Sequence, residues 1–216
     1  MSHLYNYFLN NTKKIIHKCD HYFPIYERHF SKFKNTPIKF LEIGVFKGGS
    51  LQMWKDYFGP ESTIIGVDID PACKAHEDLS NNIHVRIGDQ KDPALLQSIL
   101  NEFGSPDIVL DDGGHQMVDI ISTFKYLHPK LHNTALYMVE DLCTAYWSEY
   151  GGHLPENFIS ASKQFIDDIN AHHARGAQPG SYMTNTVFGV SFYDSIVCVE
   201  NCPRYEYKIT ATGPHV

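Results

Sequence analysis

The sequence lacks features that would place it in several other classes of protein. No apolar run approaches the roughly 20 residues of a membrane-spanning helix, and the first residues form no apolar signal core. The five cysteines make no zinc-like double pair, a pattern typical of reduced thiols. Basic residues are outnumbered 18 to 25, and the formal net charge of −7 argues against a nucleic-acid partner. We therefore expect a cytoplasmic protein that binds neither membrane nor nucleic acid.

Short apolar runs alternate with helical patterns over most of the chain. With 216 residues, of which 43% are hydrophobic, the chain is long enough to bury a core. The alternation predicts an α/β fold with a doubly wound, mostly parallel sheet. The β-rich stretches 184–189 and 191–199 predict a closing antiparallel strand pair. No domain boundary is visible, so we expect a single domain over 1–216, with its core at 35–200.

The N-terminal stretch 1–34 is rich in aromatic residues at helical spacing. Tyr22, Tyr26, Phe30 and Phe33 recur on one side, and Pro24 predicts a break into two helices near Tyr22 or Phe23. Two interpretations remain open. The aromatic side chains pack against the sheet, or the segment forms a lid over a bound ligand.

Two apolar runs stop abruptly at carboxylates. Residues 108–110 run into Asp111 and Asp112, and residues 136–139 run into Glu140 and Asp141. Because the carboxyl ends of parallel strands meet at one edge of a sheet, we expect Asp112, Glu140 and Asp141 to lie close together. A hard divalent cation is the simplest way to hold three such carboxylates ionised. The sequence therefore predicts a metal site, with His115 as a neighbouring base, although each acid alone could be a helix cap.

The first strand ends in a glycine turn before a helix, as in nucleotide-binding proteins. The spacing of Gly44, Gly48 and Gly49 is not that of a dinucleotide site. Glu42, just before the turn, would repel a pyrophosphate and would suit an ammonium or sulfonium group. Both observations argue against a dinucleotide cofactor.

The next two strands also end in acidic residues. Asp68 closes the second strand, where a carboxylate can accept both hydroxyls of a ribose. Asp70 is better placed to cap the following helix, because Pro71 suits a first helical turn. Asp89 and Gln90 follow the third strand, where a side chain could reach an adenine edge, although Asp89 is as easily a turn residue.

These segments together resemble the class I S-adenosylmethionine-dependent methyltransferases. The resemblance is strongest to the metal-dependent sugar O-methyltransferases of macrolide biosynthesis and covers roughly residues 17–200. Six segments in the right order carry it: 26–27, 40–44, 48–55, 88–90, 108–115 and 139–147. The family implies a Rossmann-like sheet of seven strands. This chain departs from the family pattern in two places. Gly114 stands where the family has serine, and the region after Trp147 matches poorly.

The resemblance implies cofactors and roles for the residues singled out above. The cofactor would be S-adenosylmethionine, contacted by Glu42, Gly44, Ser50, Asp68, Asp89, Gln90 and Asp111. Mg²⁺, with Mn²⁺ as an alternative, would be held by Asp112, Glu140 and Asp141, and His115 would be the catalytic base. The macrolide enzymes also carry a large N-terminal domain, where this chain has a short helical segment.

The expected activity is methyl transfer to a metal-chelated hydroxyl of a sugar or glycosylated small molecule. A catechol or other phenolic acceptor remains an alternative. A nicotinamide-dependent dehydrogenase and a catalytically silent binding protein are further alternatives, because the fold alone does not determine function. The sequence leaves the acceptor and the oligomeric state open, and a homo-oligomer is compatible with it.

Overall fold

Seven strands form one sheet in the computed structural model, which describes residues 2–153, 155, 157–203 and 209–213. The remaining residues of the predicted 1–216 domain lie outside this description. The strands are β1 (Lys39–Ile43), β2 (Thr63–Asp68), β3 (Ile83–Ile87), β4 (Ile108–Asp111), β5 (Leu136–Val139), β6 (Val187–Tyr193) and β7 (Ile196–Asn201). Their order is β3-β2-β1-β4-β5-β7-β6. Strands β1 to β5 pair in parallel, and β7 runs antiparallel to β5 and β6, which confirms the predicted fold class.

Seven α-helices connect and cover these strands in the described residues. They are α1 (His3–Leu9), α2 (Phe23–Phe30), α3 (Gly49–Phe58), α4 (Pro93–Phe103), α5 (Met117–Leu127), α6 (Phe158–Asn170) and α7 (Met183–Thr186). Polar caps start several of them: the side chains of Ser2, Asp92 and Asn157 accept hydrogen bonds from first-turn N–H groups. Asp70 caps as predicted, but Pro71 opens a short 3-10 segment rather than an α-helix. Among the described helices, none combines the length and apolar character needed to cross a membrane.

The N-terminal stretch is less helical than its aromatic spacing predicts. Helix α2 begins at Phe23, as expected from Pro24, but residues 10–19 form no regular structure. Asn11 explains part of this difference. Its side chain donates to the carbonyl of Lys14 and accepts from the N–H of Lys13, so it satisfies backbone groups in a non-helical conformation.

The two faces of the sheet bury separate apolar clusters. On one face, α2 and α3 pack through Tyr26, Phe30 and Trp54 against Phe40 of β1. On the other face, α4, α5 and α6 cover the sheet, with Phe124 packed against Tyr137 of β5. Alternate residues of each strand therefore face alternate layers.

The register of the central strands places the predicted acidic residues side by side. Ile43, Asp111 and Val139 are direct neighbours across β1, β4 and β5. Asp112 and Glu140, one residue further along, extend the ladder: Asp112 N–H donates to the carbonyl of Ile43, and Glu140 N–H donates to that of Asp111. Because strand side chains alternate, Asp111 and Asp112 face opposite layers.

Candidate active site

A buried lysine occupies the centre of the predicted acidic cluster. Lys18 Nζ lies 2.5 Å from Asp112 Oδ2, 2.8 Å from Glu140 Oε2 and 3.7 Å from Glu42 Oε1. Only 2% of the Lys18 side chain is exposed. A buried ammonium is costly unless carboxylates compensate it, and here the ends of three neighbouring strands supply them. The cluster is therefore a network of one cation and three acids.

Two tyrosines from the same N-terminal region complete the network. Tyr22 donates its hydroxyl to Asp141 Oδ1 at 2.6 Å, and Tyr26 donates to Glu140 Oε1. Both rings also belong to the apolar cluster beneath α2. The N-terminal region thus packs against the sheet and supplies polar contacts to the site at the same time.

Asp112, His115 and Asp141 form the exposed side of the network. One carboxylate oxygen of each aspartate and one ring nitrogen of His115 lie within 4.8 Å of one another. His115 Nε2 is 3.2 Å from Asp112 Oδ1 and 3.4 Å from Asp141 Oδ2. Two hard carboxylate oxygens at this spacing fit a divalent cation such as Mg²⁺.

His115 and Asp141 both have a left-handed backbone conformation. Their φ angles are +56° and +52°, which are uncommon for residues other than glycine. Such conformations cost free energy and persist where the surrounding structure enforces them. Here they turn the two side chains toward each other at the end of their strands.

A cavity of about 470 Å³ opens beside these three residues. Four of the predicted cofactor contacts line it: Gly44, Asp68, Asp89 and Gln90. This volume lies within the usual range for small-molecule and cofactor sites. Gly44 is required at its position, because its φ is +95° and a Cβ there would lie 2.0 Å from the Asp112 carbonyl oxygen.

Asp68 is held rigidly at the edge of the cavity. Its Oδ2 accepts the N–H groups of Val45 and Phe46 at 2.8 and 3.0 Å, and its Oδ1 accepts the N–H of Asp70 at 2.9 Å. Oδ2 thus accepts two N–H groups and Oδ1 accepts one, so Oδ1 keeps a lone pair that can accept a ligand hydroxyl. Burial would raise the pKa of Asp68, but these hydrogen bonds outweigh it and lower the pKa.

Three other predicted cofactor contacts lie behind the cavity wall. Glu42 is fully buried and accepts hydrogen bonds from Ser50 Oγ at 2.7 Å and Trp54 Nε1 at 2.9 Å. Asp111 is 1% exposed and accepts from Gln90 Nε2 and the Tyr137 hydroxyl. The cation facing Glu42 is thus Lys18 of the chain itself. Contact of Glu42, Ser50 or Asp111 with a cofactor stays a prediction that this arrangement does not support.

Charges in the network are set by burial and by Lys18. Burial would lower the pKa of Lys18, but Asp112, Glu140 and Glu42 outweigh it and hold the pKa well above its usual value. Burial would raise the pKa of Asp112, but Lys18 and His115 lower it. For Glu140, burial prevails and raises the pKa. Asp112 is therefore the best ionised of the acids that contact Lys18.

His115 keeps its proton more readily than a free imidazole. Burial would lower the pKa of His115, but the hydrogen bond to Asp112 and the charges of Asp112 and Asp141 outweigh it and raise the pKa. A cation held by the two aspartates would oppose this effect, because like charges disfavour the protonated ring.

Sequence reasoning missed Lys18 altogether. It lies in an irregular segment, and nothing in its local pattern distinguishes it from a solvated lysine. The N-terminal tyrosines were noticed for their helical spacing, but their hydroxyl partners depend on contacts more than 110 residues away along the chain. Gln90 braces the turn after β4, because it donates to Asp111 and accepts the N–H of Gly114. These contacts also join residues that are distant in the sequence.

Comparisons with known proteins agree with this geometry. No family model matches the sequence. The chain is 34% identical over 193 residues to 8-demethyl-8-alpha-L-rhamnosyl tetracenomycin-C 2'-O-methyltransferase of Streptomyces olivaceus, covering 83% of this chain and 50% of that protein. It is 35% identical over 196 residues to mycinamicin VI 2''-O-methyltransferase of Micromonospora griseorubida, covering 83% and 48%. The chain thus spans about half the length of the relatives it matches.

A solved structure extends the similarity to nearly the whole chain. The MycE methyltransferase, in complex with Mg, SAH and mycinamycin VI, superposes with a TM-score of 0.78 at 30% identity. The match covers 99% of this chain and 56% of that one. The resemblance expected from the motifs is confirmed. The chain is similar in sequence and fold to class I S-adenosylmethionine-dependent methyltransferases of the MycE sugar O-methyltransferase type.

Proposed function

We propose that this chain binds S-adenosylmethionine and a divalent metal and transfers the methyl group to a hydroxyl of a sugar or glycosylated small molecule. One observation carries the proposal. The cluster of Asp112, His115 and Asp141 opens onto the same cavity that Gly44 and Asp68 line at the ends of β1 and β2. Metal, base and cofactor groups would therefore meet in one space.

The residues of the chain have separable roles in this proposal. S-adenosylmethionine supplies an electrophilic methyl group when bound, and the metal supplies positive charge that acidifies a nearby hydroxyl. Asp68 would accept a ribose hydroxyl at Oδ1, and Asp89 and Gln90, which line the same cavity, would contact the adenine. Asp112 and Asp141 would hold the metal from the cavity side, and Glu140 stays the third predicted ligand.

His115 takes the proton from the acceptor hydroxyl at Nδ1, because Nε2 donates its hydrogen bond to Asp112. Magnesium prefers oxygen ligands, so the imidazole stays available as a base rather than becoming a ligand. This hydrogen bond to Asp112 fixes the ring, which lines the cavity.

The acceptor class is inferred from the relatives. The tetracenomycin enzyme is named for a rhamnosyl-bearing acceptor, and we infer an acceptor of the same kind. A homo-oligomeric state, a cytoplasmic location and a lid role for residues 1–34 stay predictions.

Calorimetric titration tests the cofactor part of the proposal. We expect S-adenosylmethionine to bind the unmutated chain and NAD⁺ not to bind. Asp68→Ala should weaken S-adenosylmethionine binding at least about tenfold while leaving Mg²⁺ binding unchanged, because a hydrogen bond to a charged acceptor contributes about 1.5–3 kcal/mol. Failure of S-adenosylmethionine to bind would overturn the proposal.

Transfer of a labelled methyl group tests the acceptor class. Rhamnose-bearing compounds with vicinal hydroxyls should be methylated, and catechols should not. Methylation of catechols alone would reject the sugar acceptor while keeping the chemistry.

A further inference from the structure

Lys18 fills the space between two of the three carboxylates that are predicted to hold the metal. Its Nζ lies 2.5 Å from Asp112 Oδ2 and 2.8 Å from Glu140 Oε2, so one ammonium bridges the two side chains. A magnesium ion bound to the same two oxygens would lie about 2.0–2.1 Å from each of them. The ammonium occupies the space that such an ion needs. Lys18 and a metal held by Asp112 and Glu140 therefore exclude each other.

His115 does not block the metal in the same way. Its Nε2 lies 3.2 Å from Asp112 Oδ1 and 3.4 Å from Asp141 Oδ2, on the side of the cluster that faces the cavity. Lys18 instead contacts the other oxygen of Asp112, at the shorter distance of 2.5 Å. A metal that bridges Asp112 and Glu140 can leave the imidazole in place, whereas the ammonium has to move.

The ammonium and a metal would serve the same electrostatic purpose. Glu42, Asp112 and Glu140 face Lys18 from the ends of three neighbouring strands, and the lysine side chain is only 2% exposed. Buried carboxylates without a cation are strongly unfavourable, so the cluster requires one. Two cations at this range would repel each other. The cluster can therefore hold the ammonium or the metal ion, but not both.

Lys18 belongs to a segment that can rearrange without breaking the sheet. Residues 10–19 form no regular structure, and such segments open at a lower free-energy cost than core strands. The segment crosses the start of α3, where a Cβ at Gly49 would lie 2.3 Å from the Ile15 carbonyl oxygen. His17, next to Lys18, lines the cavity. Withdrawal of the lysine would therefore move this segment and one wall of the cavity.

We propose that Lys18 is an internal competitor of the metal. Its ammonium neutralises the carboxylates until a divalent ion displaces it, and residues 10–19 move when it leaves. The inference rests on the proposed function, because it assumes that a divalent metal binds through Asp112, Glu140 and Asp141. Lys18 then sets the affinity for the metal, since the ion binds only to the fraction of molecules from which the ammonium has withdrawn.

Chemical labelling of lysine amines tests the displacement in the unmutated chain. Metal-free and Mg²⁺-saturated protein would be acetylated with a water-soluble reagent, and the rate at each lysine followed by mass spectrometry. We expect Mg²⁺ to accelerate the labelling of Lys18 at least about tenfold, because the displaced amine is no longer held among the acids. Lys13, which is exposed in the same segment, is the matched control and should keep its rate. An unchanged Lys18 rate in protein that binds Mg²⁺ would overturn the inference.

Calorimetry separates this inference from the proposed function. Lys18→Met keeps much of the side-chain length without the charge, so Mg²⁺ should bind it at least about tenfold more tightly than the unmutated chain. Lys13→Met should bind Mg²⁺ as the unmutated chain does. Equal affinities of Lys18→Met and the unmutated chain would overturn the inference and leave the metal-dependent function intact. Absence of Mg²⁺ binding from all three proteins would reject both.

Mg²⁺ binding to Lys18→Met alone would support the competition and would reject a metal-dependent function for the unmutated chain. Thermal unfolding provides an independent check, because a ligand that binds the folded state more tightly raises the Tm further. Mg²⁺ should therefore raise the Tm of Lys18→Met more than that of the unmutated chain, and the opposite order would contradict the proposal. If loss of the buried cation prevents Lys18→Met from folding, the labelling of the unmutated chain decides the question.

Discussion

Asp111 and Asp112 are adjacent in the chain, yet they lie in two different chemical environments. Asp112 faces the N-terminal helices, pairs with Lys18 and reaches the cavity. Asp111 faces α4 and α5, where Gln90 and Tyr137 donate hydrogen bonds to it. Burial raises the pKa of Asp111 to about 7, whereas Lys18 holds that of Asp112 below its usual value. Two identical side chains thus differ in charge because strand geometry turns them to opposite faces.

The comparison shows how one sheet edge supports both a reactive layer and a bracing layer. On the face of Asp112, ionised groups meet a cavity. On the face of Asp111, a hydrogen-bond network ties β4 to Gln90, which also accepts the N–H of Gly114. The second layer fixes the turn on which His115 is mounted.

Replacing each aspartate by asparagine should give the largest difference between the two layers in Mg²⁺ binding and turnover. Asp112→Asn should abolish Mg²⁺ binding and lower methyl transfer below detection, because it removes a ligand charge. Asp111→Asn should keep Mg²⁺ binding and most of the activity per folded molecule. Calorimetry and turnover measured on both variants check this expectation, and equal loss of activity in the two would break the comparison.

Removing the imidazole should cost less than removing the metal ligand. His115→Gln should lower turnover about 10²–10⁴-fold while S-adenosylmethionine still binds, because a positioned base contributes that much. In the unmutated protein, turnover should increase with pH as the His115 ring loses its proton.

The pH–rate profiles of both proteins provide the check. The His115→Gln profile should lack the rise that the unmutated protein shows. An unchanged profile would assign the base to another residue.

Asp111 and Asp112 should make contributions to the unfolding free energy that change with pH in opposite directions. The folded-state pKa of Asp111 is about 7 against 3.8 for the free side chain, so its neutral form is favoured by folding. This preference stabilises the folded protein by about 4 kcal/mol at most. The stabilisation is fully present below pH 3.8 and is lost as the pH rises through about 7. For Asp112, with a lowered pKa, stability is instead lost as the pH falls.

Urea denaturation between pH 4 and 8 measures this contrast. Asp111→Asn should remove the decline toward neutral pH, and Asp112→Asn should not. Identical pH dependences in the two variants would mean that the environments do not differ as described.

Alanine substitution at the two glycines of the turn should show the smallest effects. At Gly113, a Cβ would lie 2.0 Å from Gln90 Oε1 and 3.0 Å from Ile43 Cγ2. Gly113→Ala should therefore destabilise the protein by about 1–3 kcal/mol through a displaced Gln90. At Gly114, the nearest contact would be Asp119 Oδ2 at 3.7 Å, so Gly114→Ala should be nearly neutral. Equal unfolding free energies for the two variants would contradict the bracing role of Gln90.

The fold and the outline of the site could be predicted because their signals are local. Apolar runs ending at acids identify strands, and parallel pairing then brings those ends together. The structure places Asp68, Asp112, His115 and Asp141 around one cavity, and their roles there stay predictions. The same reasoning predicted Asp111 as a cofactor contact, whereas the side chain faces the opposite layer and accepts hydrogen bonds from Gln90 and Tyr137.

The rest of the site depends on contacts between distant segments. Glu42 was expected to face a cationic ligand, and a cation does lie near it, but that cation is Lys18. A lysine in an irregular segment has no periodicity that would reveal its position. Only the packing of α2 against α3 and β1 determines where residue 18 can reach.

The sequence separation of the Lys18 contacts has a consequence for the order of folding. Lys18 precedes Asp112 by 94 residues and Glu140 by 122. During synthesis the lysine emerges long before its acidic partners, and contacts of such separation form late because the intervening chain must first be ordered. We therefore expect the amide protons around Glu140 to gain protection from exchange only in the last phase of refolding. Formation of the acidic centre would then mark the end of folding of the whole sheet rather than of any one strand pair.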